Sequence, residues 1–411
     1  MADEILTLNA GSSSVKFSLV EARGAELAMH AVGEVDGLGG ARARLKARSV
    51  TGVELIDRAL AGDEARDHEG ALRCLLGFLN GAFPQARIEA VGHRVVHGGP
   101  DFDRPALIDD CVLEKIAALE SWAPLHQPHN VAGIRAARAA FPEAPQVACF
   151  DTAFHHGHTF ENDAYGLPRA LYDEGLRRYG FHGLSYDYVS RRLAALEPEV
   201  AKGRVIVAHL GNGASLCALR NGRSIASTMG FTALDGMPMG TRCGQLDPGV
   251  VLYLMSEKKM GAEEISDLLY KRSGLKGMSG VSNDMRALEA SDEPAAKEAI
   301  DYFVSRIRRE VGGLAAAIGG LDAFVFTGGI GENAWRIREA VLGDLGWIGI
   351  HLDVEANRAG ARVISTPDSP VEVLVLQTDE ERMIAEHTAE VAGFIRTAKI
   401  FRGAKEGAST E

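Results

Sequence analysis

The chain has few cysteines and no long hydrophobic run, and both shortages narrow what it can be. Its five cysteines are odd in number and form no CxxC pair, which argues against a disulfide framework and a zinc ribbon. His155, His156 and His158 could be read as a metal cluster, but adjacent histidines cannot both face one ion in a regular element, and no carboxylate or cysteine spacing completes a tetrahedral set. We therefore expect a polar loop there. No stretch is long and apolar enough for a membrane span, and the start, Met1 to Glu4, is acidic, unlike a signal peptide. These features predict a soluble, cytoplasmic protein with reduced thiols.

Positive charge is also scarce. The 44 lysines and arginines are outnumbered by 56 aspartates and glutamates, which gives a formal net charge of −12. Because binding to a nucleic-acid backbone needs a basic face, this balance argues against nucleic acid as a partner. A small anionic substrate remains compatible if cations are gathered locally. Lys16, Arg94 and Arg242 lie in otherwise apolar or glycine-rich stretches and are the candidates for this role.

What the chain does contain is a pattern that occurs twice. Residues Ile5 to Arg23 and Val205 to Arg223 each read as an apolar strand, a glycine-containing turn and a second strand, which predicts two β-hairpins. Because the turns lack bulky side chains, their backbone N–H groups can approach an anion closely. The 411 residues suffice for two domains of about 200 residues each. The repeat therefore predicts twin halves around a nucleotide cleft, with two hairpins in register by chance as the alternative.

The remainder of each half predicts alternating strands and helices. The predicted elements are the strands 26–35, 90–96 and 146–150 and the helices 69–79 and 130–141 in the first half, and three strands within 204–229, helices 248–271 and 293–318, strands 323–327 and 371–376 and a helix from 379 to about 396 in the second. The absence of a low-complexity linker indicates domains packed around a shared cleft.

A glycine-rich segment, Gly328 to Asn333, follows the predicted strand 323–327 and precedes a helix that we expect to begin at Ala334. The amides of such a loop and the N-terminus of the helix could hold a nucleotide. The segment also matches the dinucleotide fingerprint GxGxxA, with Asp353 as the downstream acid, so a dehydrogenase is an alternative. Too little chain follows for a Rossmann domain, and both hairpins would be left unexplained, which disfavours it.

Two arginines and an aspartate stand out by position. Arg94 lies within an apolar strand, where burying a guanidinium is costly without an anion, so it binds either a ligand or a structural carboxylate. Arg242 lies in a glycine-bounded loop with nowhere obvious to bury it, which favours a substrate contact. Asp151 directly follows a buried strand, a typical place for a site residue, although an N-cap is the alternative.

Eight ordered stretches closely resemble the acetate kinase family, and the resemblance spans nearly the whole chain. These stretches are Asn9–Lys16, His93–Gly99, Phe150–His155, Arg178–Gly183, His209–Gly213, Met239–Arg242, Gly328–Asn333 and Thr378–Glu381. The resemblance implies an α/β fold of duplicated ribonuclease-H-like domains, shared with sugar kinases, heat-shock ATPases and actin, and usually a homodimer. We expect one domain at 1–150 with a returning helix at 385–402, a second domain at 151–384, and a disordered tail at 403–411.

The resemblance also implies roles for individual residues. It assigns catalysis to Asp151, His182 and Arg242; acyl-substrate binding to Arg94, Val96, Leu125, Phe181 and Ala233; ATP binding to Lys16, His209, Leu210, Gly211, Asn212, Gly213, Asp284, Met285, Arg286, Gly329, Ile330, Gly331, Glu332 and Asn333; and Mg²⁺ binding, with Mn²⁺ as a substitute, to Asn9 and Glu380.

The implied reaction is direct in-line transfer of the ATP γ-phosphoryl group to acetate, giving acetyl phosphate and ADP, and its reverse. Two arginines, a histidine donor and Mg²⁺ suit the negative charge of the transferring group. Since acetate is already ionised near neutral pH, we expect Asp151 to organise metal-bound water or an arginine, not to act as a base. The alternative from another class, an actin-like or chaperone-like ATPase, would need neither Arg94 nor Arg242.

The predicted acyl pocket departs from the family at one position, because this chain has Ala233 where the family commonly has proline. The smaller residue adds room, and one methylene in an apolar pocket is worth only about 1–3 kcal/mol. Propionate kinase, or a broader short-chain acyl kinase, is therefore the close alternative. Cys243 and Gln245 also replace the usual serine and aspartate after Arg242, which makes the geometry of that loop less secure.

Overall fold

The computed structural model describes residues 2–11, 13–23, 26–40 and 42–395, which form two β-sheets with helices packed on them. The strands of the first sheet are β1 Ala2–Ala10, β2 Ser14–Arg23, β3 Glu26–Asp36, β4 Arg44–Ser49, β5 Glu54–Ala59, β6 Ala86–Val95, β7 Ala106–Leu107 and β8 Gln146–Phe150, and those of the second are β9 Arg204–Leu210, β10 Ala214–Arg220, β11 Arg223–Ser227, β12 Ala323–Thr327 and β13 Glu372–Val375. The first sheet has the order β5-β4-β3-β2-β1-β6-β8-β7 and the second β11-β10-β9-β12-β13.

The two sheets share one topology. In the first, β1, β2 and β3 form an antiparallel meander, and β6 and β8 add to β1 as parallel strands. In the second, β9, β10 and β11 form the same meander, and β12 and β13 add in parallel. The two hairpins predicted from the repeated pattern are confirmed, and each begins its half of a duplicated α/β fold.

Sixteen α-helices surround the sheets within the described residues. They are α1 His68–Ala82, α2 Asp110–Ala118, α3 Gln127–Ala140, α4 Phe160–Asp163, α5 Arg169–Asp173, α6 Gly183–Leu196, α7 Pro198–Ala201, α8 Pro248–Ser256, α9 Ala262–Lys271, α10 Gly274–Ser279, α11 Met285–Glu289, α12 Pro294–Ile318, α13 Gly328–Asn333, α14 Trp335–Leu342, α15 Val354–Arg358 and α16 Glu380–Ala392. None of them combines the length and apolarity needed to cross a lipid bilayer.

The last helix of the described chain, α16, packs on the first sheet although it follows the last strand of the second. Its Ala385 and Ala389 join a buried cluster with Ile5 and Ala90. The packing is so close that a Cβ on Gly92 would lie 2.1 Å from Thr388 Oγ1, so only glycine fits at that position of β6. This packing brings Glu380, at the start of α16, near Arg94 at the end of β6. The predicted helix beyond residue 395 and the tail 403–411 lie outside the described residues.

The segment Gly328–Asn333 differs from its prediction, because it forms the short helix α13 and not a loop. Its glycines favour an irregular backbone, but the Glu332 carboxylate accepts a hydrogen bond from Gly328 N at 2.9 Å and so satisfies a free amide of the first turn. Asp353, the acid of the alternative dinucleotide fingerprint, caps α15 by accepting from Ala356 N at 3.0 Å. A nicotinamide dinucleotide turn is therefore the wrong interpretation of this segment. The predicted helix 248–271 is in fact two, α8 and α9.

Candidate active site

Four polar side chains converge where β1, β6 and β8 end. Arg94 donates two hydrogen bonds to Asp151, from Nε to Oδ1 at 3.0 Å and from Nη2 to Oδ2 at 2.7 Å. Its Nη1 donates to Asn9 Oδ1 at 3.4 Å, and its Nε lies 4.0 Å from Glu380 Oε2. Burial opposes the charge of Arg94, but the carboxylates of Asp151 and Glu380 outweigh it and raise the pKa of the guanidinium. The planar group is thereby fixed in place and orientation.

The two interpretations of Arg94 that the sequence left open converge in this arrangement. Its partner is a carboxylate, and that carboxylate, Asp151, is itself a predicted site residue. The Asp151 side chain is 2% exposed, whereas that of Arg94 is 21% exposed, so part of the Arg94 side chain remains accessible. Lys16 pairs with Asn9 across β1 and β2 and is exposed, which places its amine beside the same edge.

His182 lies at the start of α6 in the left-handed conformation, with φ of 58°. Its Nδ1 is 2.8 Å from Ser215 Oγ, and its ring stacks on that of His209 with 4.3 Å between the centroids. Burial, followed by the charges near it, lowers the pKa of His182 well below its usual value, so the ring is neutral. A Cβ on Gly213 would lie 3.1 Å from His182 Nε2, which explains a glycine in the turn facing the ring.

Arg242 lies on the loop before α8, close enough to Arg94 for the two charges to interact. Its Nη1 donates to the carbonyl of Ala233 at 3.0 Å and contacts Met239 Sδ at 3.5 Å. No ion pair among the described residues involves Arg242, and its pKa is lowered by burial and by the charge of Arg94. A half-buried guanidinium without a carboxylate partner suits the binding of an anion.

The predicted acyl contacts lie around a common apolar cluster, with one exception. Val96 and Phe181 are buried in it, and Ala233 packs against it. The ring centroid of His97, which follows Val96, lies 5.4 Å from that of Phe181, so a second ring packs beside this cluster. Leu125 lies outside the cluster and lines a groove with residues of α9.

The predicted ATP segments of the second half adjoin one another. Asn212, in the turn after β9, accepts from Gly240 N at 3.0 Å through its carbonyl and from Asn283 Nδ2 at 3.2 Å through its side chain. The first contact reaches the loop of Arg242, and the second reaches the start of α11. The side chain of Leu210 is fully buried, so only its backbone can face a ligand. A Cβ on Gly328 would lie 2.8 Å from the carbonyl oxygen of Leu210, which brings α13 against the same turn.

Several side chains of the predicted ATP-binding residues are buried or form hydrogen bonds and ion pairs within the protein. Asp284 caps α11 and pairs with Arg286, Oδ2 to Nη2 at 2.7 Å, and both side chains are exposed. Met285 is 3% exposed. Glu332 Oε1 accepts from Gly328 N and from Thr378 N, the latter at 3.2 Å. Glu332 therefore holds α13 to the segment before α16.

Comparison with known proteins identifies the family. The chain matches the model of the acetokinase family over residues 4–386. It belongs to this family. A relative named acetate kinase from Methylocella silvestris is 56% identical over 391 residues, 93% of this chain and 96% of the relative, and one from Nitrobacter hamburgensis is 57% identical over 389 residues, 94% of this chain and 95% of the relative.

Solved structures agree with this assignment. The acetate kinase of Porphyromonas gingivalis superposes with a TM-score of 0.84 at 39% identity, covering 95% of this chain and 100% of that one. A propionate kinase from Francisella tularensis superposes with a TM-score of 0.88 at 38% identity, with the same coverages. As a member of the acetokinase family the chain is a phosphotransferase that uses ATP and ADP and has a carboxyl group as acceptor.

In the acetokinase site, the chemistry of Asn9 and Glu380 fits Mg²⁺. Both offer hard oxygen atoms, and Mg²⁺ typically takes one or two protein oxygens and completes its shell with phosphate oxygens and water. No cluster of three or more histidine, cysteine, aspartate or glutamate side chains able to hold a metal ion occurs in the described part of the chain. The pair thus suits a metal that arrives with the nucleotide.

Sequence reasoning missed His126 and Asn130. Burial, with the charges of Arg242 and Arg94, lowers the pKa of His126 to about 3, so a neutral His126 lies near both arginines. Asn130 accepts from Val96 N at 3.0 Å and donates to Ala10 O at 2.8 Å, which joins the ends of β6 and β1. The position of His126 next to the predicted Leu125 was the available signal for the former.

The two departures after Arg242 are accommodated by local contacts. Cys243 Sγ donates to the carbonyl of Gly244 at 3.2 Å, and Gln245 Oε1 accepts from Arg306 of the long helix α12. Gly244 has φ of +72°, and a Cβ there would meet the Met237 backbone at 2.5 Å. The loop after Arg242 is therefore fixed by α12 through Gln245 and by the backbone of Met237 through Gly244.

Proposed function

We propose that this chain transfers the γ-phosphoryl group of ATP to acetate, reversibly and by direct in-line displacement, to give acetyl phosphate and ADP. The observation that carries the proposal is Arg242, a half-buried guanidinium with no carboxylate partner among the described residues, close enough to Arg94 for the two charges to interact. Two cations facing one space suit a reaction in which a phosphoryl group moves between two anions.

The proposed roles follow from the contacts of each side chain. Arg94 binds the carboxylate of acetate with its accessible face, and Arg242 stabilises the equatorial oxygens of the transferring group. If Tyr186 donates to Ser215, 2.6 Å away, and Ser215 donates to His182 Nδ1, then the neutral His182 carries its proton on Nε2 and can donate it to a phosphoryl oxygen. Mg²⁺ held by Asn9 and Glu380 would neutralise charge on the nucleotide phosphates.

Asp151 acts in this proposal as the organiser of Arg94. The nucleophile is a carboxylate that is ionised at neutral pH, so no base is needed. The bidentate contact supports the arginine-organising role and adds a reason for the burial of Asp151, because a buried carboxylate needs a charged partner.

Acetate is the proposed acceptor, and propionate is the second candidate because of Ala233. The near relatives above 50% identity are named acetate kinases, whereas the propionate kinase among the solved structures is 38% identical. We expect a higher kcat/KM for acetate than for propionate, by about 10-fold, the value of one methylene in an apolar pocket. Hydroxamate trapping of the acyl phosphates in ATP, Mg²⁺ and each carboxylate measures this ratio.

The same assay tests the proposed function. An actin-like ATPase would form ADP at a rate independent of acetate and would yield no acyl phosphate. Acetate-dependent ADP formation with stoichiometric acetyl hydroxamate supports the proposal, and ADP formation without either contradicts it. The Arg242→Gln variant, which keeps the loop length and loses the charge, should lower kcat at least about 100-fold.

We also propose that the protein is cytoplasmic, where its substrates ATP and ADP are present, and that it forms a homodimer. The helix α8 presents no buried side chain and exposes Val250, Leu252, Tyr253 and Met255 to between 39% and 65% of their surfaces. Large apolar side chains left exposed along one helix are a feature of protein interfaces.

A further inference from the structure

A line of buried polar groups lies behind Phe181 and His182 and takes no part in the proposed chemistry. His155, in the short 3₁₀ turn after Asp151, places Nε2 2.9 Å from the carbonyl oxygen of Phe181. Its Nδ1 is 2.8 Å from Ser224 Oγ on β11. The line continues to His158, whose Nε2 lies 2.7 Å from the same hydroxyl.

The proton position on His155 follows from its partner at Nε2. A backbone carbonyl only accepts, so His155 Nε2 carries a hydrogen. Burial and then the neighbouring His158 lower the pKa of His155 to about 3, which keeps the ring neutral and leaves Nδ1 as an acceptor. Nδ1 can then accept the Ser224 proton, and the Ser224 oxygen also lies within hydrogen-bond distance of His158 Nε2 and, at 3.2 Å, of Cys217 Sγ. The other nitrogen of His158 lies 3.2 Å from Asp163 Oδ1.

The carbonyl at the end of the line belongs to a constrained turn. Gly180 has φ of +73°, and a Cβ there would lie 2.6 Å from the His155 ring, so the ring packs directly on the backbone. His182 is left-handed two residues later, which is unfavourable for a residue other than glycine. Gly183 N donates to the Asp151 carbonyl at 2.8 Å, which fixes the far side of the turn.

The orientation of this turn determines the positions of two predicted site side chains, Phe181 and His182. The Phe181 side chain packs in the apolar cluster that contains Val96, and the His182 ring stacks on His209. Rotation of the peptide between them would move both, since they flank the same carbonyl. A displacement of about 1 Å at a reacting centre can lower a rate about 100-fold.

We propose that His155 is a positioning residue, whose Nε2–H holds the Phe181 carbonyl and thereby places Phe181 against the acyl group and His182 against the transferring phosphoryl group. The inference rests on the proposed function. His155 contacts no substrate itself and acts only through the turn.

Two substitutions separate this role from general packing. In His155→Gln the side-chain amide nitrogen can occupy the place of Nε2 and still donate to Phe181, whereas in His155→Asn the shorter amide can reach Ser224 but not the carbonyl. Both lose the ring. We expect kcat within about 3-fold of wild type for His155→Gln and lower by about 30- to 100-fold for His155→Asn. The KM for ATP should change less than about 2-fold in both, because the nucleotide segments lie on other elements.

The controls separate a positioning effect from a loss of stability and from a failure of the proposed function. His156→Asn changes the exposed neighbour and should leave kcat and Tm unchanged. Equal losses of kcat in the two His155 variants, or a folded His155→Asn with wild-type kcat, would overturn the inference. If the variants do not fold, ¹⁵N-histidine NMR of the wild-type protein decides: a neutral Nε2–H tautomer at His155 between pH 6 and 8 supports it, and an Nδ1–H tautomer or an imidazolium contradicts it. Wild-type protein that forms no acetyl phosphate refutes the proposed function instead.

Discussion

At the scale of single residues, the contact between Arg94 and Asp151 decides how the site is interpreted. A guanidinium that binds a substrate carboxylate must keep one orientation, and the bidentate carboxylate behind it provides this. Removing one member of a buried pair leaves the other charge uncompensated, so the two residues should behave as one unit. Their energetic coupling is therefore a better test than either substitution alone.

We predict that Asp151→Asn and Arg94→Lys each lower kcat/KM for acetate by about 100-fold, the first because Arg94 loses its orientation and the second because an ammonium lacks the fork. The double variant should be no worse than about 3-fold below the poorer single variant. Steady-state kinetics with acetate varied at saturating ATP measures all three. Independent, multiplicative losses, or near wild-type turnover of Asp151→Asn, would contradict an arginine-organising role.

The sequence pointed to both members of this pair but not to their contact. Arg94 was a candidate because it interrupts an apolar strand, and Asp151 because it follows one. Nothing local shows that side chains 57 positions apart share two hydrogen bonds, since the contact depends on the register of β6 against β8. Of the residues that carry the further inference, His155 and His158 were considered only as metal ligands, because tautomers and donors become apparent only with partners in space.

At the scale of elements, the predictions succeeded where periodicity is strong. The hairpins, the buried strand Gln146–Phe150 and the strand Ala323–Thr327 were placed correctly. The strands β4 and β5 were missed, because β4 buries only Leu45 and Ala47 between charged residues and β5 is largely exposed. The helix α13 was missed because its stability comes from tertiary contacts, among them Arg338, whose Nη1 donates to the carbonyls of Gly331 and Glu332 at 2.9 and 2.8 Å.

One contact between elements joins the two halves of the chain. Asp187 of α6 accepts from His387 Nε2 of α16 at 2.8 Å and from Arg191 Nε at 2.8 Å, and Arg191 also reaches Glu390 of α16 at 3.3 Å. Burial opposes ionisation of Asp187, but the His387 hydrogen bond and the Arg191 charge outweigh it and lower its pKa to about 2. Because α6 begins after His182 and α16 begins at Glu380, this pairing relates two parts of the site.

We predict that Asp187→Asn lowers the free energy of unfolding at pH 7 by about 2.5 kcal/mol, the value of a pKa lowered from about 3.9 to about 2. The folded pKa is depressed, so the contribution is complete above about pH 5, falls to roughly half at pH 3 and is lost below pH 2. Urea unfolding at pH 7 and pH 3 measures it. Asp301→Asn, which breaks the exposed pair with Lys297 on α12, should cost less than about 0.5 kcal/mol. A difference that does not shrink with acid would refute this origin.

At the scale of the whole molecule, the two sheets of like topology meet through α16 and through the loops at their strand ends. The predicted site groups come from both halves: Arg94 and Asn9 from the first sheet, and Arg242 and His182 from the second half. Any motion of one half against the other therefore changes the distance between the two arginines. This arrangement explains why no single segment could indicate the site.

The exposed apolar side chains of α8 make the assembly state testable. We predict that Leu252→Glu, which places a charge at the most exposed of its apolar residues, raises the dimer dissociation constant at least about 100-fold, because a carboxylate cannot be buried unpaired. The net charge of −12 on each chain adds repulsion. Sedimentation velocity at micromolar concentration should give twice the mass of one chain for wild type and the mass of one chain for the variant. Val53→Glu, at an exposed valine between β4 and β5, should remain dimeric; a dimeric Leu252→Glu, or a monomeric Val53→Glu, would place the interface elsewhere.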